Sequence, residues 1–525
     1  MSMKKAVNML TCLGLSASLL AVTPVAASTE HYQDSSKASD WATWTKDWET
    51  VATDYTQISV APGADESQLN FAWYSASGDA EPVIKIGKDE SSMKEYKGSK
   101  SDVDSSLTGG TAYVSNKVTV TDLEPSTEYT YSATGADGTE KTGTVKTGNP
   151  DDTRILYVGD PQIGASKDQT QGSDTLTEDD GAANTAARND AFSWDRTLDL
   201  ASSENPDLSF IISAGDQINK TGKPKEEEYA GFLHADLLQT TPLATTIGNH
   251  DSLNPDYSAH FNTPNATENG KTAAGGDYYY SYGNALFIVL NTNNYNVAEH
   301  EETIKEATGA DPDAKWRIVA IHQDIYGSGL DHSETDGMIL RTQLTPVFDS
   351  YDIDVVLQGH DHTYSRTKLL YGDGKTHGSY EFRLNSDGSD YDWDHAYNKD
   401  TDAQIPLSED AASSDAASSG AESQATETYE DFRNDNKCYT IEDVEGSTVK
   451  NPQGTLYMTA NSASGSKYYE LAKTQQDYVA VRSQNWLPSY SVIEVTDKSF
   501  AITTYQVTDD GKAEKLDDTF TIEKD

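Results

Sequence analysis

Apolar runs through the second half of the chain keep ending on residue types that bind metals, most of them directly behind a glycine. Ile155-Leu156-Tyr157-Val158 leads to Gly159-Asp160-Pro161-Gln162, the run from Leu208 to Ser213 leads to Gly215-Asp216-Gln217-Ile218-Asn219, and Thr245-Thr246-Ile247 leads to Gly248-Asn249-His250-Asp251. Leu286 to Leu290 ends at Asn291, Arg317 to Ile321 ends at His322, and Ile353, Val355, Val356 and Leu357 precede Gly359-His360-Asp361-His362. Between these runs, residues 190–201, 226–238 and 338–351 carry apolar side chains at helical spacing, with Pro346 expected to bend the last. Strands alternating with helices build an α/β sheet, and open α/β folds place their ligands at the C-terminal strand ends. A chain so patterned is constrained to bring these polar ends together.

Collected, the strand-end residues are Asp160, Asp216, Asn249, His322, His360 and His362. Two histidines at i and i+2 on extended or turning backbone point roughly the same way. A lone Gly-His pair is an ordinary loop, and two imidazoles are too few ligands for a metal site. Carboxylates, an amide oxygen and imidazoles together suit a pair of first-row divalent or trivalent ions that share one carboxylate.

The formal net charge of -47 and the sequence pI near 4.3 argue against a nucleic-acid or anionic-membrane partner, since both need Lys/Arg patches. An anionic substrate is repelled at long range, so a phosphate site must make its own local positive charge. Bound divalent metals are the expected source. Residues 1–27 read as a secretory signal peptide: Lys4 and Lys5, an apolar stretch through Leu19 to Val22, then Val25-Ala26-Ala27. Thr23 and Pro24 interrupt the stretch before spanning length, so no transmembrane anchor is expected. Once that peptide is removed Cys438 is alone, and no internal disulfide is expected.

Residues 28–55 form a polar arm whose Trp41, Trp44 and Trp48 are expected to dock on a neighbouring domain. Residues 56–147 read as all-β, in short alternating runs at Ile58 to Val60, Leu69 to Tyr74, Val83 to Ile86 and Val118 to Val120. A turn-rich linker, Gly148 to Asp152, follows. The strand and helix grammar then occupies residues 151–525, closing with strands at 454–460, 490–495 and 500–507. Residues 372–445, rich in Asp, Ser, Ala and Gly, are expected to be a largely disordered acidic insertion, with Tyr391, Trp393 and Tyr397 pinning its first half.

The segment Leu123-Glu124-Pro125-Ser126-Thr127-Glu128-Tyr129-Thr130-Tyr131 resembles fibronectin type III domains, in which a Leu-x-Pro turn leads into a strand with a buried Tyr. The ordered motifs Gly-Asp, Gly-Asp, Gly-Asn-His-Asp, His and Gly-His-x-His resemble the calcineurin-like metallophosphoesterases, and within them the purple acid phosphatases that carry a fibronectin-like N-terminal domain. The resemblance continues in Ile321 to Tyr326, in His332 followed by Glu334 and Gly337, and in Tyr364-Ser365-Arg366. It implies an α+β/α/β chain: an N-terminal fibronectin-like β-sandwich followed by a calcineurin-like αββα sandwich domain. It also implies two divalent or mixed-valence ions (Fe, Mn or Zn), with Asp216 bridging them. Asp160 and His362 would hold one ion, and Asn249, His322 and His360 the other.

Two positions depart from that pattern. Purple acid phosphatases have Gly where this chain has Gln162 and a ligating Tyr where it has Asn219. The site is therefore expected to lack a tyrosinate and not to be purple, with Gln162 either ligating through its amide oxygen or hydrogen-bonding to a bound water. The activity implied is that of a secreted phosphoesterase, hydrolysing monoesters of a small phosphorylated substrate through a metal-bridging hydroxide. His250, oriented by Asp251, is expected to protonate the leaving group, with His332 as the second candidate. A phosphodiesterase or nucleotidase on the same dimetal site is the neighbouring alternative. A surface binding protein with a degenerate phosphoesterase fold is the alternative from another class, and metal content separates it from the enzymes.

Overall fold

The computed structural model describes residues 38–525 except 169, 172–173, 176–184, 222–225, 331, 334–335, 385–391, 393–394, 408–431 and 433. The signal-peptide reading of residues 1–27, and the expectations at Glu334, Tyr391 and Trp393, lie outside the described residues.

The first domain is two four-stranded antiparallel sheets. One runs in the order Ile58–Pro62, Leu69–Ala76, Tyr113–Val120, Ser99–Asp102, and the other Lys94–Lys97, Val83–Gly87, Glu128–Thr134, Glu140–Lys146. Period-two alternation drives the pairing: Tyr129, Tyr131 and Ala133 point inward while Glu128 and Thr130 face solvent. Phe71 meets Tyr131 edge to face with ring centroids 5.0 Å apart, and the Glu124 amide donates to Tyr129 Oη at 2.7 Å.

The second domain stacks two mixed sheets. The first has the order Leu243–Thr245, Phe210–Ser213, Thr153–Val158, Ser489–Val495, Ser499–Val507, Phe520–Glu523, Thr448–Lys450. The second has the order Tyr278–Tyr282, Ala285–Val289, Trp316–Ala320, Val355–Gln358, Leu456–Thr459, Tyr364–Thr367, Val479–Ser483. Strand Thr153–Val158 shows why its sequence is apolar throughout: Ile155 and Tyr157 enter the core between the sheets, whereas Leu156 and Val158 pack under the helices outside. Helices Thr185–Glu204 and Glu226–Leu233 cover one outer face, and Val297–Ala310 and Asp336–Ser350 cover the other. This is the expected αββα sandwich. Strands Thr153–Val158, Phe210–Ser213 and Leu243–Thr245 run parallel, as do Ala285–Val289, Trp316–Ala320, Val355–Gln358 and Leu456–Thr459. Their C-terminal ends therefore meet along one rim.

Three expectations change. The helix expected over 226–238 stops at Leu233, and a separate 3-10 turn, Asp236–Gln239, follows. Helix Val297–Ala310 had no counterpart in the sequence reading, because its buried face mixes His300 and Thr303 with Val297, Ile304 and Ala307 and so breaks the apolar stripe. The acidic insertion is folded where it is described. Tyr380–Glu381, His395–Asn398 and Gln404–Pro406 form a three-stranded sheet, and Tyr380, Phe382, Ala396, Ile405, Leu407 and Phe432 join the core under helix Asp336–Ser350. Apolar residues scattered singly among Asp and Ser carry no local signal, yet the tertiary fold gathers them.

The arm is a helix, Ala38–Val51, whose Trp44 and Trp48 lie buried in the second domain's core. Trp44 Nε1 donates to the Arg188 carbonyl at 2.7 Å. No helix among the described residues is long and apolar enough to cross a membrane.

Candidate metal centre

Three of the loops at the rim turn sharply enough to put non-glycine residues in the left-handed region. Asp160 has φ 44°, Gln162 38°, Asp216 50°, His360 71° and His362 46°. Such backbone costs about 1–3 kcal/mol per residue and persists only where surrounding structure enforces it. The preceding glycines are required by close approach. A Cβ on Gly248 would lie 2.0 Å from Asp216 Oδ1, and one on Gly215, itself at φ 114°, would lie 2.4 Å from His322 Nδ1.

The residues so presented are buried and adjacent. Ligand atoms of Asp160, Asp216 and His362 fall within 4.8 Å of one another, as do those of Asp216, His322 and His360. Asp216 belongs to both groups. Asn249 joins the second, its Oδ1 lying 2.9 Å from His322 Nε2. The His360 amide donates to both oxygens of Asp160 at 3.0 Å. A third group, His332, Asp336 and His360, abuts the second. There Asp336 contacts His332 Nδ1 at 3.2 Å and His360 Nε2 at 2.8 Å, and the two imidazoles lie tilted against each other at 35° with centroids 3.8 Å apart. Asp336 carried no sequence signal, because its link to His360 spans 24 positions.

The electrostatics fit a cation. Burial raises the Asp160 carboxyl, and the neighbouring Asp216 adds to the rise although His322 opposes it. Burial also works against Asp216 ionising, but the His322 and His250 rings hold it well below the carboxylate range. Two carboxylates in so small a dry volume cannot both be charged without compensation. Burial, with His332 beside it, pushes His360 down to about 4, and burial with the Lys467 charge lowers His362, so both are neutral imidazoles able to ligate. Gln162 supplies a further donor. Its Nε2 gives a hydrogen bond to Asn219 Oδ1 at 3.2 Å, which leaves the buried Oε1 with no hydrogen-bond partner among the described residues.

The expected orientation of His250 by Asp251 does not occur. The Asp251 carboxylate turns back to accept from the Gly248 amide at 2.9 Å and the Gln217 amide at 3.2 and 3.3 Å, because those buried N–H groups have no other acceptor at the turn. His250 Nδ1 is held instead by the Asn219 carbonyl and by Thr221 Oγ1 at 3.1 Å. His332 does face the cluster.

Residues 153–364 match the family model for calcineurin-like phosphoesterases, and residues 55–147 match that for the purple acid phosphatase N-terminal domain. Uncharacterized proteins from two strains of Mycobacterium tuberculosis are each 22% identical over 342 residues, 58% of this chain and 60% of the relative. The match thus spans less than two thirds of those curated relatives. Purple acid phosphatase 23 of Arabidopsis thaliana is 25% identical over 170 residues, 29% of this chain and 35% of that protein. Among solved structures, a purple acid phosphatase from yellow lupin (Lupinus luteus) seeds superposes with a TM-score of 0.56 at 14% identity, covering 90% of this chain and 74% of the other.

Proposed function

With a calcineurin-like phosphoesterase domain behind a purple acid phosphatase N-terminal domain, the chain belongs to the metallophosphoesterases, and we propose that it hydrolyses phosphate monoesters at a two-metal centre outside the cell. The observation that carries this reading is that Asp216 belongs at once to the Asp160–His362 group and to the His322–His360 group. Asp160, His362 and the Gln162 amide oxygen would hold one ion, Asn249, His322 and His360 the other, and Asp216 would serve both. Iron, manganese and zinc all suit such mixed oxygen and nitrogen donors. When bound, the ions would supply Lewis acidity and an activated water as nucleophile.

The chain's own groups do the rest. Asp336 fixes the rings of His332 and His360, as carboxylates behind ligating histidines do. His250, its Nδ1–H taken by the Asn219 carbonyl, turns Nε2 toward proton transfer and would give the departing alkoxide a proton from its imidazolium form, which burial opposes and Asp216 favours. His332, held by Asp336, is the second donor. Export follows from the signal-peptide pattern of residues 1–27.

The test is hydrolysis of an aryl phosphate monoester beside the matching diester, after loading with Mn, Fe or Zn, with Asp216→Asn as control. Chelator-sensitive, faster monoester cleavage that Asp216→Asn abolishes supports the reading. A diester preference would move the assignment to a phosphodiesterase or nucleotidase.

A further inference from the structure

In a chain of net charge -47 the cation beside the metal centre stands out. It is Lys467, at the end of the stretch Asn461-Ser462-Ala463-Ser464-Gly465-Ser466, which has the composition of a flexible linker. The fold makes it the opposite. Ser462 Oγ donates to the Asp160 carbonyl at 2.9 Å, and Ser464 and Ser466 donate to the Pro161 carbonyl at 2.5 and 3.2 Å. The Ala463 amide donates to the Gly159 carbonyl at 2.8 Å, and Gly465 makes the turn at φ 72°. This serine-rich turn is thereby fastened to the backbone of the loop that presents Asp160 and Gln162. It is buried from Asn461 to Ser466.

What the turn delivers is Lys467. Its carbonyl lies 2.8 Å from His362 Nδ1, and its ammonium sits 4.6 Å from the centre of the Tyr469 ring. That ring in turn packs edge-on against His362 and His332, with centroids 5.1 and 5.3 Å away. Gln484 Nε2 locks the same wall, donating to the carbonyls of His362 and Tyr469 at 2.8 and 2.7 Å. The ammonium therefore lies on the aromatic wall that Tyr469 builds against His362 and His332. A positive charge held in advance, with its backbone anchored, gains binding energy without an ordering cost at the moment of reaction.

We propose that Lys467 is a substrate-binding residue whose ammonium takes an oxygen of the phosphoryl group, and that it selects dianionic monoesters over monoanionic diesters. The inference rests on the phosphoesterase reading above. A diester has exchanged one anionic oxygen for an ester substituent, so it gains less from the added cation.

The experiment pairs Lys467→Ala and Lys467→Arg with the parent chain, all loaded with Mn, and reads metal content, binding of inorganic phosphate by calorimetry, and kcat/KM on an aryl monoester and its diester. Lys467→Ala is expected to keep the parent's metal content, weaken phosphate binding about 10–100-fold and lower monoester kcat/KM by a similar factor, the size of a lost hydrogen bond to a charged group. The diester should lose less than about threefold, and Lys467→Arg should restore most of the monoester rate. Unchanged phosphate binding with an unchanged monoester-to-diester ratio would overturn the proposal, and so would loss of metal from Lys467→Ala, which would make the residue structural. A parent chain that binds phosphate through Lys467 but turns over neither ester would support the anion site while removing the phosphoesterase reading.

Discussion

Gln162 and Asn219 are joined side chain to side chain at the candidate metal centre, with Gln162 Nε2 donating to Asn219 Oδ1 at 3.2 Å. These are the two positions at which the sequence departs from purple acid phosphatases, and they depart as a pair. Together they replace a charged phenolate by a neutral amide oxygen, Gln162 Oε1, at a buried position. The iron-loaded protein should therefore show no visible ligand-to-metal charge-transfer band. Gln162→Ala should weaken retention of one ion about tenfold while the other stays, the scale on which a single oxygen donor matters. Absorption spectroscopy and metal analysis after dialysis check both.

His250→Ala should keep its metal, because Asn249 and Asp216 are untouched. Its rate should fall roughly 100-fold on alkyl phosphates, whose poor leaving groups need a proton, and much less on activated aryl esters. A leaving-group series in the two proteins measures this as a steeper dependence in the variant. Equal losses across the series would remove His250 as the acid.

Asp251→Ala should act on the fold and not on the leaving group. It deprives the buried Gly248 and Gln217 amides of their acceptor, which costs about 2–6 kcal/mol at about 1–3 per orphaned group. Denaturant unfolding should show the loss, with weaker metal retention as the loop carrying Asn249 and His250 relaxes.

Stability should fall as pH rises through neutrality. Burial pushes the Asp190 carboxyl from 3.8 up to about 7, although it accepts from the Gly164 and Ser166 amides. A folded-state pKa above the unfolded one means the folded chain holds the extra proton. That contribution is full below about 4 and is lost as pH climbs through about 7, amounting to roughly 1–4 kcal/mol. Unfolding midpoints at pH 5 and pH 8 should differ in that sense for the parent chain and differ less for Asp190→Asn.

The site was more legible than its surroundings. Asp160, Asp216, Asn249, His322, His360 and His362 could be collected because each ends an apolar run, and parallel strands bring such ends to one rim. Of thirteen non-glycine residues at positive φ among the described residues, Asp160, Gln162, Asp216, His360 and His362 are five, so the backbone strain concentrates where the candidate ligands gather. What failed to show depends on contacts distant in sequence. Asp336 reaches His360, Lys467 reaches His362 and Ser462 reaches the Asp160 carbonyl, and neither periodicity nor local composition records such pairings. The orientation of His250 by Asp251 was misjudged for a related reason: adjacency in sequence suggested a pair, but the unsatisfied backbone amides of the turn took the carboxylate.

The most direct test of the two-metal account is the number of Mn(II) ions retained per chain after loading and dialysis, measured by elemental analysis on the parent protein and on Asp216→Asn. Two per parent chain, with both ions weakened by loss of the one carboxylate they share, is the predicted result. One ion or none in the parent, or an Asp216→Asn variant that still holds two as tightly, would contradict it.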